Sequence, residues 1–404
     1  MFTEINEAME WVMSRRGHAH DPEGMKSILA EAGNPQKYFD CIHVAGTNGK
    51  GSFVNYLSDM LKASGKKTGM FTSPHMVNHR DRIRIDGEWI PEDTFLRYVN
   101  EYYDLIVREN MTMFETDVLI ALSWYRDEKI DIAVIECGLG GRYDSTNVLE
   151  RTILSVITTI GFDHMDRLGD TLGKIAWHKA GIIPENGKVL VGNVPEEAFS
   201  VIENEAAGKH AQLLRLPGYR DGGMRRLIYG GEIYELCTDA VYQTENAALA
   251  LRAAEEIGLD IHSETVRKAL YASRWTGRFE TVSYAPRIIL DGAHNPHGVS
   301  ALIRSMQHLS HPLICVFSAL RDKQGKEMAG MLEEACDELI VTEFEMYRAD
   351  HAEDLSGGRG TVIADWHEAI ETAKERAGRT GTVVITGSLY FVSTVRGSLA
   401  AGAE

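Results

Sequence analysis

The chain has 404 residues, 44% of them hydrophobic and 25% charged, with a formal net charge of −17. That length exceeds one ordinary core and favours two domains; the composition is globular, and the negative field argues against non-specific binding to nucleic acid or an anionic membrane. The opening residues carry acidic groups rather than a continuous apolar segment, no window is apolar for long enough to span a membrane, and Cys41, Cys137, Cys237, Cys315 and Cys336 lack metal or disulfide spacing, so a cytosolic protein with reduced thiols is expected.

In chain order, the first strong signal is CIHVAGTNGKGS, Cys41 to Ser52. The common phosphate-loop spelling places Ser or Thr directly after the Gly-Lys pair and another Gly five residues before that Gly. Here Val44 stands at the earlier position and Gly51 separates Lys50 from Ser52. The context is nonetheless that of a phosphate site: a short buried strand, a glycine-rich turn, then a helix whose first N–H groups and positive dipole end face the turn. Gly46, Gly49 and Gly51 permit close approach, Lys50 adds a point charge, and Ser52 is a candidate phosphate or Mg²⁺ ligand. The helix follows in FVNYLSDMLKASG, with Phe53, Tyr56, Leu57, Met60 and Leu61 on one face and Gly65 as its stop.

IDIAVIEC (130–137) predicts an interior parallel strand that ends on Glu136, beside Gly138, Gly140 and Gly141. Ligand crevices in open α/β sheets lie at the carboxyl ends of strands, which puts this carboxylate where a hard cation would want oxygen. TILSVITTI (152–160) is another strand; beyond it come Asp163, His164, Asp166, His178 and Lys179. His164, just past the strand end, is a candidate metal ligand, whereas His178 falls within a helix and reads as structural. Lys179 has apolar neighbours (Ile175, Ala176, Trp177, Ala180, Ile182) that would favour a neutral, modifiable amine, while its spacing alone favours a solvated lysine. KVLVG (188–192) is a further strand, and TENAALALRAAEEIG a helix with Thr244 as candidate N-cap and Gly258 past its end.

After RWTGRFETVSYAP the texture shortens: RIILD, a helix after Pro296, LICVFSAL, a helix over 325–335, ELIVTEF, TVIAD, a helix from Trp366 and TVVITG. The pattern is a small doubly wound α/β unit, without a G-x-G-x-x-G after its first strand. The fold expected is therefore α/β, with a large P-loop ATPase-like N-terminal domain (1–283) and a smaller doubly wound, Rossmann-like C-terminal domain (284–404). Arg278, Asp291 and His294 fit groups that close over a nucleotide, although Asp291 alone could be a turn residue.

Taken together these stretches resemble the folylpolyglutamate synthase/dihydrofolate synthase family, the folate branch of the Mur-type ATP-dependent amide ligases. The motifs run in order: GNPQ (33–36), HVAGTNGKGS (43–52), TSPH (72–75), DRIRIDG (81–87), FE (114–115), ECGLGGRYDSTNV (136–148), ITTIGFDH (157–164), KIAWHKAGII (174–183), ENAALAL (245–251), GRFE (277–280), LDGAHNP (290–296) and TGSLYF (386–391). GTNGKGS is that family's own phosphate loop. The resemblance implies that ATP phosphorylates a folate or dihydropteroate carboxylate and that the amine of L-glutamate displaces the phosphate. It places ATP contacts on Asn48, Gly49, Lys50, Gly51, Asn246, Arg278 and Asp291, with Ser52 nearby. Mg²⁺ ligands fall on Ser73, Glu136 and His164, and Lys179 matches a lysine carried as a carbamate. Lys50, Lys179 and His294 are the catalytic candidates. The pterin is expected near Met113, Phe114, Glu115 and Thr116 and near Tyr143, Asp144 and Ser145. Partners would be these small molecules alone, with the chain acting as a monomer.

Four positions depart from the family pattern: no Thr follows a few places after the FE pair, Asp81 replaces a frequent Glu, and Tyr143 and Ser145 replace Leu and Ala. These leave the ligase chemistry in place and the preferred folate open. A cell-wall Mur ligase would carry a further N-terminal domain for its UDP-sugar, whereas here the phosphate loop begins about 45 residues in. A guanine-nucleotide switch would show N-K-x-D, which this sequence lacks.

Overall fold

The computed structural model describes residues 1–401. Runs that are apolar on both faces become interior strands, since a sheet covered by helices on both sides has no solvent face. The larger sheet has eight: β1 (Asp40–Ala45), β2 (Thr68–Phe71), β3 (Ile83–Ile85), β4 (Glu88–Trp89), β5 (Ile132–Glu136), β6 (Thr152–Ile157), β7 (Lys188–Val191) and β8 (Gln212–Arg215), in the order β4-β3-β2-β5-β1-β6-β7-β8. Pairing is parallel from β2 across to β8 and antiparallel at β2–β3 and β3–β4.

The register sets the site. Val44 pairs with Glu136 and Ala45 with Ile157, so β1, β5 and β6 end side by side. From β1 the helix Lys50–Ala63 carries the chain to β2 on one side, while β6 lies on the other. From β6 the chain runs the opposite way, to β7, and connections that diverge from adjacent strands open a crevice beyond their carboxyl ends. Phe53, Tyr56, Leu57, Met60 and Leu61 of that helix are buried as the periodicity predicts, each such side chain contributing about 1.5–3 kcal/mol of burial. Gly65, at φ 82°, ends it in the left-handed conformation.

Three short strands follow: β9 (Tyr219–Asp221), β10 (Arg226–Tyr229) and β11 (Glu232–Glu235). The smaller sheet has six, β12 (Glu280–Tyr284), β13 (Arg287–Leu290), β14 (Leu313–Phe317), β15 (Glu338–Glu343), β16 (Thr361–Asp365) and β17 (Thr382–Thr386), in the order β12-β13-β17-β14-β15-β16. The five strands expected from the sequence are β13 to β17, all parallel. RIILD is not the first strand of this sheet, because β12 pairs antiparallel with it at the edge. The helix expected from Thr244 runs Val241–Glu256 instead, with Thr244 in its first turn, where backbone N–H groups still lack helical partners.

The chain forms two compact units that interleave in sequence: Met1–Tyr219, Tyr229–Glu235 and Asn246–Ser273 in one, and Arg220–Ile228, Leu236–Glu245 and Arg274 onward in the other.

Candidate active site

Beyond β1 the loop 46–49 is bound to the strand end of β6. Thr47 N–H donates to the Thr159 carbonyl at 2.8 Å and Asn48 N–H to Thr159 Oγ1 at 3.0 Å, while the Thr158 and Thr159 hydroxyls donate to the Asn48 carbonyl. A side chain at Gly46 would lie 1.9 Å from Thr158 Oγ1, and one at Gly49, whose φ is 85°, would lie 2.3 Å from Asn246 Oδ1. Close backbone approach is therefore required at both. The second contact also brings Asn246, 197 positions away along the chain (246 − 49), against the phosphate loop.

Two lysines converge on one carbonyl. Lys50 Nζ donates to Gly46 O at 3.1 Å and lies 3.7 Å from Glu136 Oε1. Lys179 Nζ donates to the same oxygen at 2.9 Å. Burial, then the nearby Lys50 charge, lowers the Lys179 pKa to about 7. The sequence reading of a poised, partly neutral amine thus describes its environment, and the solvated alternative does not, since Lys179 is 4% exposed. Glu136 closes the group: its Oε2 accepts from Ser73 N–H at 3.3 Å. Ser52 is buried at the helix start. His164 caps the short helix Met165–Leu168 at φ 49°, its Nε2 3.8 Å from Asp163 Oδ1; Asp163 in turn contributes to the field at Lys179.

Among the described residues no three His, Cys, Asp or Glu side chains are assembled as a metal cage. Mg²⁺ does not need one, because it is ordinarily held by one or two carboxylates with phosphate oxygens and water. A single buried carboxylate beside a phosphate loop, with a serine and a histidine on adjoining loops, fits that donor chemistry.

The expected pterin residues divide into two kinds. Phe114 is half-buried, 5.6 Å from Phe71, and its ring lies where a Gly138 side chain would stand. Met113 is half-buried beside it, and Tyr143 is exposed, with ring centroids 6.2 Å from Trp177 and 5.8 Å from His178. Glu115 is fully buried and internally satisfied: it accepts from Thr112 N–H and Oγ1 at 2.7 and 2.8 Å, from His20 N–H at 2.6 Å and lies 2.9 Å from His20 Nδ1. Thr116 is fully buried and donates to the Thr112 carbonyl. Asp144, raised in pKa by burial, accepts from Leu139 N–H, Thr146 N–H and Thr146 Oγ1, so it shapes its own loop. Ser145 is buried next to it.

One network escaped the sequence reading. His43 on β1 lies 2.8 Å from Thr146 Oγ1 and 3.1 Å from Cys137 Sγ, and burial lowers its pKa to about 3. A neutral histidine inside a strand reads as one more core residue, and its partners are 94 and 103 positions distant.

In the second unit Asp291 is buried and accepts from Phe279 N–H at 3.0 Å, Ala293 N–H at 2.9 Å and the Tyr242 hydroxyl. Burial raises its pKa. Arg278 Nη1 donates to the Gly292 carbonyl at 3.0 Å, and His294 Nδ1 donates to the same group at 2.9 Å.

Residues 44–220 match the Mur ligase middle domain and residues 277–389 the Mur ligase, glutamate ligase domain. The dihydrofolate synthase/folylpolyglutamate synthase of Bacillus subtilis is 34% identical, over 98% of this chain and 99% of that protein. The chain belongs to this family. Folylpolyglutamate synthase of Lacticaseibacillus casei is also 34% identical, over 95% of each. Escherichia coli FolC in complex with DHPP and ADP has the same fold at a TM-score of 0.91 and 29% identity, covering 100% of this chain and 99% of that one. The α/β Mur ligase architecture and the folate-branch resemblance read from the motifs are borne out. As a member of this family the chain is an ATP-dependent acid–amino-acid ligase.

Proposed function

We propose that the chain joins L-glutamate to the carboxylate of both dihydropteroate and reduced folates, releasing ADP and phosphate. The supporting observation is the convergence of Lys50, Lys179, Glu136 and the Ser73 backbone around Gly46 at the ends of β1 and β5. A triphosphate and a carboxylate repel, and bringing them together calls for fixed cations in a site preorganised before they arrive. Lys50 would sit against the transferring phosphate, backed by the N–H groups of Gly49, Gly51 and Ser52, with Asn48, whose own N–H is held by Thr159, and Asn246 completing the ATP contacts. Transfer to the acceptor makes an acyl phosphate, which the glutamate amine attacks as phosphate leaves.

Ser73, Glu136 and His164 would hold Mg²⁺, which supplies charge neutralisation between phosphates and acceptor. The lowered pKa of Lys179 keeps a neutral fraction whose lone pair can attack CO₂, giving a carbamate and one released proton; the carbamate would then add an anionic ligand. Phe114, Met113 and Tyr143 would meet the pterin directly, with Glu115, Thr116, Asp144 and Ser145 shaping the pocket behind them. Arg278 and Asp291 would contact ATP, and His294 would serve the chemical step. We also propose that the chain divides into an ATP-binding part and a Mur C-terminal-type part, with the boundary expected at 283/284 moved back to Arg274, where the second unit resumes ahead of Glu280–Tyr284 of the smaller sheet. Action as a monomer on small molecules alone, in the cytoplasm, belongs to the same proposal; no helix among the described residues is long and apolar enough to cross a membrane.

ADP formation measured with dihydropteroate and with tetrahydrofolate, each with and without L-glutamate, tests this reading. Glutamate-dependent turnover on both acceptors is expected. Turnover on one alone would remove the bifunctional assignment, and turnover on neither would remove the folate assignment.

A further inference from the structure

A cavity of about 600 Å³ lies between the turn at 165–169 and one face of the helix Leu172–Ala180. That volume is within the range of ligand pockets, ~300–1,000 Å³. Met165, Leu168 and Trp177 give it apolar wall, and Arg167 and Lys174 give it cations against the single acid Asp166, while His178, its pKa lowered by burial and by the nearby Arg142 charge, adds a neutral ring. Lys174 is already paired with Asp170 at 2.8 Å. Arg167 is exposed, and among the described residues nothing pairs with its guanidinium.

The position matters as much as the lining. Met165 directly follows His164 and His178 directly precedes Lys179, so both walls start one residue from the proposed metal ligands. Tyr143, at the proposed pterin region, packs its ring near Trp177 and His178. A ligase that accepts its own product must present a fresh terminal carboxylate at the reaction centre each cycle, while the glutamates already added find room beside it. Every added glutamate carries one α-carboxylate, and a chain of net charge −17 repels such a tail unless a local cation meets it.

We propose that this cavity is a subsite for the oligo-γ-glutamyl tail of the acceptor, with Arg167 pairing an α-carboxylate through its planar fork and Trp177 covering the methylene segments. The inference rests on the folate-ligase reading above. Full-length enzyme and its Arg167→Ala and Arg167→Lys variants are assayed with ATP, Mg²⁺ and L-glutamate on two acceptors, tetrahydropteroyl-monoglutamate and tetrahydropteroyl-tetraglutamate. Losing a charge-assisted bidentate pair should lower kcat/KM on the tetraglutamate about tenfold, through KM, and leave the monoglutamate within about twofold. Arg167→Lys should recover part of the loss. Equal loss on both acceptors, or loss on neither, overturns the subsite. Failure of the unmodified enzyme on both acceptors would instead overturn the folate reading, and the subsite with it.

Discussion

At the scale of single residues, the site concentrates positive charge on one backbone oxygen, and the two lysines there should fail differently. Lys50→Ala removes the charge set against the transferring phosphate and should lower kcat by at least about 10²–10³-fold, with far-UV circular dichroism and thermal midpoint close to the parent. Near-normal turnover would sink the phosphate-loop assignment. Lys179 carries a stability signature as well. Its folded pKa of about 7 lies below the ordinary value of 10.5, so between those values the unfolded chain binds more protons than the folded one, and stability rises with pH through that window. Lys179→Met should therefore be more stable than the parent near pH 7, with the gap narrowing toward pH 10.5. Urea unfolding at several pH values measures this; a constant gap would mean that the ammonium is not desolvated. The same variant should be nearly inactive, and carbon-13 bicarbonate should label the parent but not the variant if the carbamate forms.

At the scale of elements, the helix Met113–Asp127 shows how a binding segment is fixed by groups that need not touch a ligand. Thr112 and Glu115 form a capping box at its start, and Glu115 also holds His20. Glu115→Ala strands these donors in a buried place and should cost about 1–3 kcal/mol of stability, raising the acceptor KM through a displaced Phe114; denaturant unfolding and acceptor titration measure the two effects. An equally buried tie lies further along: His79 Nε2 is 2.8 Å from Asp117 Oδ1, and Arg82 Nη1 is 3.5 Å from Asp117 Oδ2. Asp117→Ala leaves a buried guanidinium uncompensated and should destabilise by about 3–5 kcal/mol. The loop 72–82 that bears Ser73 ends at this cluster, so the Mg²⁺ requirement of whatever folded variant remains should rise.

The elements legible in the sequence were those whose apolar run is interior on both faces, as with IDIAVIEC and TVVITG. Strands β3 and β4 at one margin of the larger sheet and β12 at the edge of the smaller one mix polar with apolar residues, so no apolar run marks them. Within the site, Lys50 and Glu136 were legible because each ends or begins a recognisable element. The engagement of Glu115 and Asp144 with neighbours was not, since a motif names a residue without saying where its lone pairs point.

At the scale of the whole molecule, the two units do not follow one another along the chain. The stretch Leu236–Glu245 belongs with the unit that resumes at Arg274, and it contributes specific partners there: Tyr242 to Asp291, Asp239 to Arg287, and Val241 N–H to Ser305 Oγ. One continuous helix, Val241–Glu256, starts in that unit and from Asn246 belongs to the other. For anyone recombining genes of this family, a single crossover near residue 283 would pair the Asp291 of one parent with the Tyr242 of another. A chimera that exchanges the second unit intact would have to replace three separate segments, and so be spliced from six alternating pieces of DNA.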